Sequence, residues 1–432
     1  MKALSKLCVA IYILLFTLML VARDIVGISI SKWLFVFVAG GLMFVGDLRA
    51  VVYMTAFSIP LLCGIPGTYI LLIACVFLIF KIGKVCANTV ALCALLLILE
   101  FIASIWYPRN DVIGMMSYMG HVAVLIILMS DDILIRKDVS SFGTVQAYML
   151  GSLLLCSIII VSGIKNAPGN WLELFAKGWF RFGDTQADAS AGMVLTLNAN
   201  NLGYYGILGS FFGFQLWRKG YHKIINMVLV LLHAIAGILS LSRSFLLLAA
   251  LCALLMIIVS SKSMKMVVGL IFATIACGIL LNIVVSKYPD LLTGWVTRMT
   301  GEDMSTGNGR ITHLLAYLQA WLERPRCILL GAGVTGYKDV TGLYASMHNA
   351  LEQILVCYGF VGATVFLFGL ARPVIRIRSE HRIAFIDWIP LISLVLFVQT
   401  IQFVNPTMLM MPYAIAVHAA KIVPFNRKQY LA

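Results

Sequence analysis

The sequence is poor in charged residues and lacks the histidine and cysteine clusters that bind metals. Only 12% of its 432 residues are charged, against roughly 25% in a soluble domain. Its 10 cysteines are scattered, and no CxxC pair or His/Cys group has metal-ligand spacing, so we expect no metal site. The longest polar stretch, residues 285–349, holds only Cys327, so no disulfide can form within it.

Internal repeats, low-complexity segments and disordered linkers are also missing, which argues against several domains. What the chain has is apolar length: 61% of its residues are hydrophobic, and the mean hydropathy is +0.98. Runs of about 20 apolar residues recur along the sequence, as in transmembrane helices, whereas a barrel would show short alternating segments. We therefore predict a single integral membrane domain, residues 1–432, that is all-α and polytopic with 12–14 transmembrane helices.

The basic residues predict how the chain is oriented. The formal net charge is +14. With both termini in the cytoplasm, most basic residues fall in short inner loops, as the positive-inside rule requires. We attribute the charge to this topology and expect no nucleic acid partner. Two long loops, 164–197 and 285–349, then face outward, provided that residues 64–67 join a hairpin that crosses the membrane twice. The N-terminal apolar run resembles a signal peptide without a cleavage site, so we predict the first membrane helix there.

The loop 285–349 contains a predicted amphipathic helix that begins with an arginine. Apolar residues recur about every 3.6 residues from Arg310 to about Glu323, and Pro325 ends the pattern. Arg310 lies in the first turn, where the helix dipole favours an anion, and its planar guanidinium matches phosphate oxygens. His313, one turn on, is interpreted as a surface histidine. The apolar positions are Leu314, Leu315, Leu318, Trp321 and Leu322, and Asn308 and Gly309 precede the helix as candidate caps.

Two further polar residues are expected at the same outer boundary. Arg243 lies in the short break between the apolar segments 224–240 and 245–261, and an ionisable residue at the edge of a helix bundle is a functional candidate; the alternative is an arginine that reaches lipid phosphate. His348 opens the next membrane helix, which Ser346 can cap, and is either structural or a general base near pH 7. Glu352, one turn later, is expected to orient His348 or to pair with an arginine.

Other candidate positions have simpler alternatives. Asn198, Asn200 and Asn201 stand where a helix enters the membrane, so they are either N-caps or donors to sugar hydroxyls. Arg181 lies in the first outer loop. Residues 331–336 match GxGxxG, but no βαβ unit surrounds them and no acidic residue follows at the right distance. We therefore predict a tight loop there and no dinucleotide cofactor.

The order of these motifs resembles the O-antigen ligase/polymerase superfamily, which includes the Wzy-type polysaccharide polymerases. The resemblance covers about 180–365 and includes the SxSRS break at Arg243, although the glycine that often follows this arginine is missing. The remaining matching positions are Gly309, Arg310, Ala320, Pro325, Gly331, Gly333, His348, Asn349, Gly359 and Gly362, with Asn198 and Asn200 at an earlier helix entrance.

This resemblance implies a GT-C-like fold and a metal-independent membrane glycosyltransferase of the bacterial inner membrane, with its active site facing the periplasm. It implies a glycan donor linked to undecaprenyl diphosphate, with a chain-length regulator and a flippase as partners. Arg243 and Arg310, with Arg181, would bind the diphosphate, and His348 would activate the acceptor hydroxyl. Asn349, Asn200 and Glu352 would support them. Polymerase, ligase and lipid-linked oligosaccharide flippase remain alternatives, and polymerase is favoured because polymerases are the more numerous.

Overall fold

A computed structural model describes residues 2–106, 112–177, 180–183, 194–260, 310–343, 347–380, 383–401, 403–404 and 407–424. The regular structure of these residues is helical throughout, without a strand. Among the described residues, four helices are long and apolar enough to span a membrane: Ala3–Val26, Ala87–Ile105, Ser141–Asn166 and Ala350–Ser379. The chain is therefore an all-α protein with the apolar helices of a membrane protein.

The helices follow the apolar runs of the sequence, which predict helices at about 7–22, 33–46, 50–63, 67–80, 86–106, 113–130, 143–163, 198–217, 224–240, 245–261, 266–284, 350–371, 384–403 and 407–420. Shorter apolar helices of 10–17 residues accompany the four long ones, and the predicted segment 266–284 lies outside the described residues. In chain order the helices are α1 (Lys2–Val21), α2 (Lys32–Val45), α3 (Leu48–Ser58), α4 (Gly67–Ile82), α5 (Ala87–Trp106), α6 (Val112–Leu128), α7 (Asp131–Leu134), α8 (Ser141–Asn166), α9 (Trp171–Ala176), α10 (Ala199–Arg218), α11 (Lys223–Leu239), α12 (Arg243–Ser260), α13 (Arg310–Leu322), α14 (Pro325–Leu330), α15 (Tyr337–Thr341), α16 (Ala350–Glu380), α17 (Ile389–Phe397) and α18 (Pro412–Ala420).

Residues 64–67 join two helices in a hairpin, as predicted, while the double crossing of the membrane stays a prediction. Helix α3 continues as a short 3₁₀ helix, Ile59–Cys63, and the chain then turns into α4. Lys81 Nζ, at the end of α4, donates a hydrogen bond of 2.9 Å to Phe44 O, just before α3. The two helices therefore start and finish at the same end of the bundle.

That end, which we call the basic end, gathers several cations around buried carboxylates. Asp387 is buried and accepts hydrogen bonds from Lys219 Nζ at 3.0 Å and from Gln215 Nε2 at 2.9 Å. Arg218 also pairs with Asp387. Burial, followed by the neighbouring Arg218 charge, lowers the pKa of Lys219 to about 8. Buried carboxylates of this kind are stable only when they are paired.

The opposite end of the bundle, which we call the loop end, holds the turn at residues 64–67. A Cβ at Gly64 would lie 2.6 Å from Leu195 Cβ, so the first long loop packs against this turn. Asp24, at the end of α1, fixes the loop because its Oδ1 accepts hydrogen bonds from Val194 N and Leu195 N, both at 3.2 Å. Asp24 itself pairs with Arg23 at 2.7 Å.

Close contact between α3 and α8 forms part of the core. Gly151 in α8 lies so near to α3 that a Cβ on it would overlap the carbonyl oxygen of Phe57. The obstructing atom belongs to the backbone, so it cannot move without shifting a helix. Small residues at such positions let membrane helices approach one another closely.

We expect Gly151→Ala to lower the free energy of unfolding by about 1–3 kcal/mol, because overpacking would separate α3 from α8. Thermal unfolding of the purified protein in detergent measures the effect. Gly41→Ala is the matched control, since a Cβ at this helical glycine meets nothing within 4 Å. If both variants unfold at the wild-type temperature, α3 and α8 are not in contact at Gly151.

Candidate functional site

Arg243 begins α12 directly after a tight turn. Leu241 carries the backbone through this turn with a φ of +49°, a conformation that is uncommon for residues other than glycine. Ser242 Oγ then accepts a hydrogen bond of 3.4 Å from Phe245 N and caps the new helix. Ser244, the residue after Arg243, has the helical backbone conformation of α12. A glycine is therefore not required at this position, where the family that the sequence resembles often has one. The turn thus places Arg243 in the first turn of a helix.

Arg310 begins α13, and the predicted helix from this residue is confirmed. The predicted apolar face is partly wrong, because Leu315 and Leu322 are each 60% exposed. The buried face contains Trp321, as predicted, and also Tyr317, which was not predicted. Tyr317 Oη donates to Leu343 O at 2.7 Å, and Trp321 Nε1 donates to Cys327 O at 2.7 Å. These two bonds fix the rotation of the helix about its axis.

The chain after α13 contains two short helices that the sequence did not reveal. Pro325 does not simply follow the end of α13; it also begins α14, where its fixed φ suits the first helical turn. The second short helix, α15, precedes the segment that leads to His348.

His348 lies immediately before α16, in a segment held by its neighbour Asn349. Asn349 Oδ1 accepts a hydrogen bond of 3.0 Å from Glu352 N, as a helix cap does. Its Nδ2 donates to Gln399 O at 3.4 Å. The predicted cap Ser346 lies outside the described residues, as do Asn308 and Gly309. These two hydrogen bonds fix the backbone at Asn349 and therefore the position of His348, the preceding residue.

Arg310 lies within electrostatic reach of both other predicted site residues, Arg243 and His348. Burial, followed by the Arg243 charge, lowers the pKa of Arg310. Burial, followed by the charges of Arg310 and His313, lowers the pKa of His348 to about 4. His313 is exposed, as predicted, yet it belongs to this group. The structure thus brings together residues that are widely separated in the sequence.

Arg243 is the first residue of α12, Arg310 is the first described residue of α13, and His348 lies two residues before α16. Unsatisfied backbone N–H groups and the helix dipole favour anions at such positions. Within the described part of the chain, no carboxylate pairs with Arg310. Two guanidinium groups and three helix starts therefore form a site suited to an anion with more than one negative charge. His348 remains neutral beside it at pH 7.

The start of α10 is hydrogen-bonded to the turn that precedes Arg243. Asn198 Oδ1 accepts a hydrogen bond of 2.8 Å from Asn200 N, which confirms the interpretation of Asn198 as an N-cap. Asn200 Oδ1 accepts one of 3.4 Å from Ser242 Oγ, next to Arg243. Arg181 lies nearby because the following residue, Phe182, donates its N–H to Leu239 O at 3.4 Å. The first outer loop therefore reaches the turn that carries Arg243.

The glycine-rich segment 331–336 forms the predicted tight loop, and it packs into a kink in α16. The kink lies at Gly359, whose φ is +63°. A Cβ at Gly359 would lie 2.5 Å from Gly331 N, so no larger residue fits. The kink frees two carbonyl groups, and Ala332 N and Gly333 N donate to Val356 O and Cys357 O, both at 2.8 Å.

Glu100 anchors the other half of this loop, a role that sequence reasoning missed. Its Oε2 accepts a hydrogen bond of 2.7 Å from Val334 N. Its Oε1 accepts bonds from Thr335 N at 3.1 Å and Thr335 Oγ1 at 2.8 Å. The sequence does offer one signal for this role, because Glu100 is a carboxylate within the apolar helix α5. Such a group is energetically costly unless it is hydrogen-bonded.

The structure does not support the expected role of Glu352. Among the described residues, no hydrogen bond joins Glu352 to His348 or to an arginine, and Oε1 is buried without a partner. Glu352 lies one helical turn after His348, and its side chain is in the core near Tyr317 and Tyr337. Burial, followed by the Glu352 charge, raises the pKa of Tyr317.

We expect the reactivity of His348 to be nearly independent of pH in the mildly acidic range. Its pKa of about 4 leaves the imidazole neutral at pH 5.5 and at pH 7.5. The rate of modification by diethylpyrocarbonate, measured by peptide mass spectrometry, should therefore be the same at both values. An imidazole with the ordinary pKa of about 6.5 would react about tenfold more slowly at pH 5.5, and that result would contradict the proposed neighbourhood of His348.

We expect Glu100→Ala to release the loop 331–336, because one buried and two part-buried donors lose an acceptor and bonds to a charged group are worth about 1.5–3 kcal/mol each. Trypsin should then cleave after Lys338 faster than in the wild type. Glu173→Ala serves as the control, since this exposed carboxylate pairs only with Lys177 among the described residues. Equal cleavage rates in all three proteins would show that Glu100 does not hold the loop.

Comparison with known proteins identifies no relative of this chain. No family model, curated protein or solved structure matches the chain. The function is therefore argued from the chemistry of the site.

Proposed function

We propose that this chain is a metal-independent membrane glycosyltransferase that polymerises undecaprenyl-diphosphate-linked oligosaccharide repeat units into O-antigen or another surface polysaccharide. The observation that carries the proposal is the convergence of Arg243, Arg310 and His348 at three helix starts. Two cations and a neutral imidazole are the groups needed to release a diphosphate and to activate a hydroxyl.

Arg243 and Arg310 would stabilise the leaving diphosphate. When the bond between the sugar and the diphosphate breaks, negative charge develops on the departing oxygen. Preorganised guanidinium groups and helix N-termini stabilise that charge without a metal ion. The repulsion between the two arginines, which lowers the pKa of Arg310, would be relieved when the diphosphate binds between them.

His348 would act as the general base on the acceptor sugar. A neutral imidazole can take the proton of the attacking hydroxyl, which typically contributes about 10²–10⁴-fold to a rate. The charge of Arg310 contributes to the lowered pKa of His348. A bound diphosphate would offset this charge and so increase the basicity of His348 when the donor is in place.

The position of the site also suits a substrate with a lipid tail and a sugar head. The three residues lie at the loop end, where apolar helices give way to polar loops. In this proposal the fold is of the GT-C type, and the loop end faces the periplasm of a bacterial inner membrane. The partners would be the lipid-linked glycan, a flippase that supplies it and a chain-length regulator.

The flippase alternative predicts ionisable groups that line a cavity within the membrane. Glu100, which lies within an apolar helix, is the residue that fits this prediction best. Glu100 borders an apolar cavity of about 260 Å³. Both of its carboxylate oxygens nevertheless accept hydrogen bonds from the loop 331–336. We therefore assign Glu100 to the support of the site. The ligase alternative shares the same chemistry and differs in its acceptor, lipid A core.

The lipopolysaccharide ladder of a deletion strain tests the function. We expect a core that carries one repeat unit, because ligation continues without polymerisation. A bare core would identify the chain as the ligase instead. Complementation with the wild type should restore the long ladder, whereas Arg310→Ala and His348→Ala should not, at equal protein level in the membrane.

Two further variants make this test specific. Arg243→Lys keeps the positive charge but loses the two-pronged contact with phosphate, so it should also be defective. Arg326→Ala removes an exposed arginine from the same loop and should give a normal ladder. Normal chain lengths in Arg310→Ala and His348→Ala would refute the site assignment.

A further inference from the structure

A second cavity, of about 770 Å³, lies at the basic end, on the opposite side of the bundle from the candidate site. It is a cleft between α1 and α8 that is also lined by Arg49 and Tyr53 of α3. Its volume falls in the range of ligand sites, about 300–1,000 Å³. The proposed glycosyl transfer does not use this cleft.

The walls of the cleft change from charged to apolar with depth. On α1 the lining residues are Lys6, Val9 and Ile13, spaced so that they follow one face of the helix. Ile13 is seven positions after Lys6, which corresponds to about 10 Å along the helix axis. On α8 the lining continues to Leu150, also below the rim. A ligand that fits both parts must have a charged head and an apolar tail.

The rim carries an excess of positive charge. Lys6, Arg49 and Lys137 line it together with Asp47 and Asp138.

Both carboxylates have partners other than the two lysines, so Lys6 and Lys137 pair with no carboxylate in the described part of the chain. Asp138 Oδ1 lies 3.3 Å from Arg136 Nε, and Asp47 Oδ1 accepts a hydrogen bond of 2.9 Å from Ala50 N. Arg49 Nη2 is buried without a hydrogen bond in the described part of the chain. Its distance to Asp47 Oδ2 is 3.5 Å. A buried guanidinium N–H without an acceptor indicates a place for an anionic oxygen.

We propose that this cleft binds an anionic phospholipid of the adjacent leaflet. The phosphate of the head group accepts hydrogen bonds from Arg49 and Lys137, and one acyl chain lies along Val9, Ile13 and Leu150. A free phosphate would satisfy the rim but would leave the apolar walls exposed to water. The lipid satisfies both, and clusters of basic residues at a membrane surface attract anionic lipids.

Native mass spectrometry of the full chain, titrated with phosphatidylglycerol, measures the affinity. We expect the wild type to bind one phosphatidylglycerol more tightly than phosphatidylcholine, and Arg49→Gln/Lys137→Gln to bind it about tenfold more weakly. The matched control is Lys84→Gln/Lys223→Gln, which removes two exposed cations outside the cleft and should bind as the wild type does. Equal weakening in both double variants would overturn the proposal, because it would mean that the general surface charge attracts the lipid.

Two further arms distinguish a lipid site from a phosphate site. Val9→Trp fills the apolar part of the cleft without removing a charge and should also weaken phosphatidylglycerol binding. Unchanged binding by this variant would refute the placement of the acyl chain. Inorganic phosphate at millimolar concentration should not compete; if it does, the rim binds free phosphate and the proposal fails. If Arg49→Gln does not fold, Lys6→Gln/Lys137→Gln replaces it with the same expected result.

Discussion

The structure around the site depends on one constraint: irregular backbone that enters an apolar helix bundle must have its N–H groups satisfied by the protein. Side-chain oxygens meet this need in three places at the loop end. In each place one side chain accepts hydrogen bonds from two consecutive backbone N–H groups: Asp24 from Val194 and Leu195, Glu100 from Val334 and Thr335, and Gln353 from Phe403 and Val404. These acceptors let loops descend among the helices and fix the ends of the segments that carry the site.

Fixed loop ends are needed because the site residues repel one another. Burial, followed by the Arg243 charge, lowers the pKa of Arg310, so the two guanidinium groups lie close enough to repel each other. The anchoring of the loop 331–336 by Glu100, together with the cap at Asn349, opposes this repulsion. A site whose positive charges are held close together is preorganised for an anion. At such a site, function is gained at the expense of stability.

Local sequence patterns predicted the features that depend on neighbouring residues. The helix that begins at Arg310, the hairpin at residues 64–67 and the cap at Asn198 all follow from periodicity and capping rules. The patterns failed where a distant partner decides the outcome. Glu100 and Val334 are 234 residues apart, and no local signal joins them. Glu352 likewise faces the core because of how α16 packs, which its spacing from His348 does not reveal.

The same electrostatics suggest an order of events under the proposed function. The pKa of His348 is about 4, so the imidazole is neutral but is a weak base. Its weakness has two causes, burial and the charge of Arg310, and a bound diphosphate removes the second. The base therefore gains strength when the donor arrives, and catalysis is most efficient when the pKa of the base approaches the working pH. An acceptor hydroxyl that reaches the site before the donor meets a poor base, so donor binding precedes activation of the acceptor.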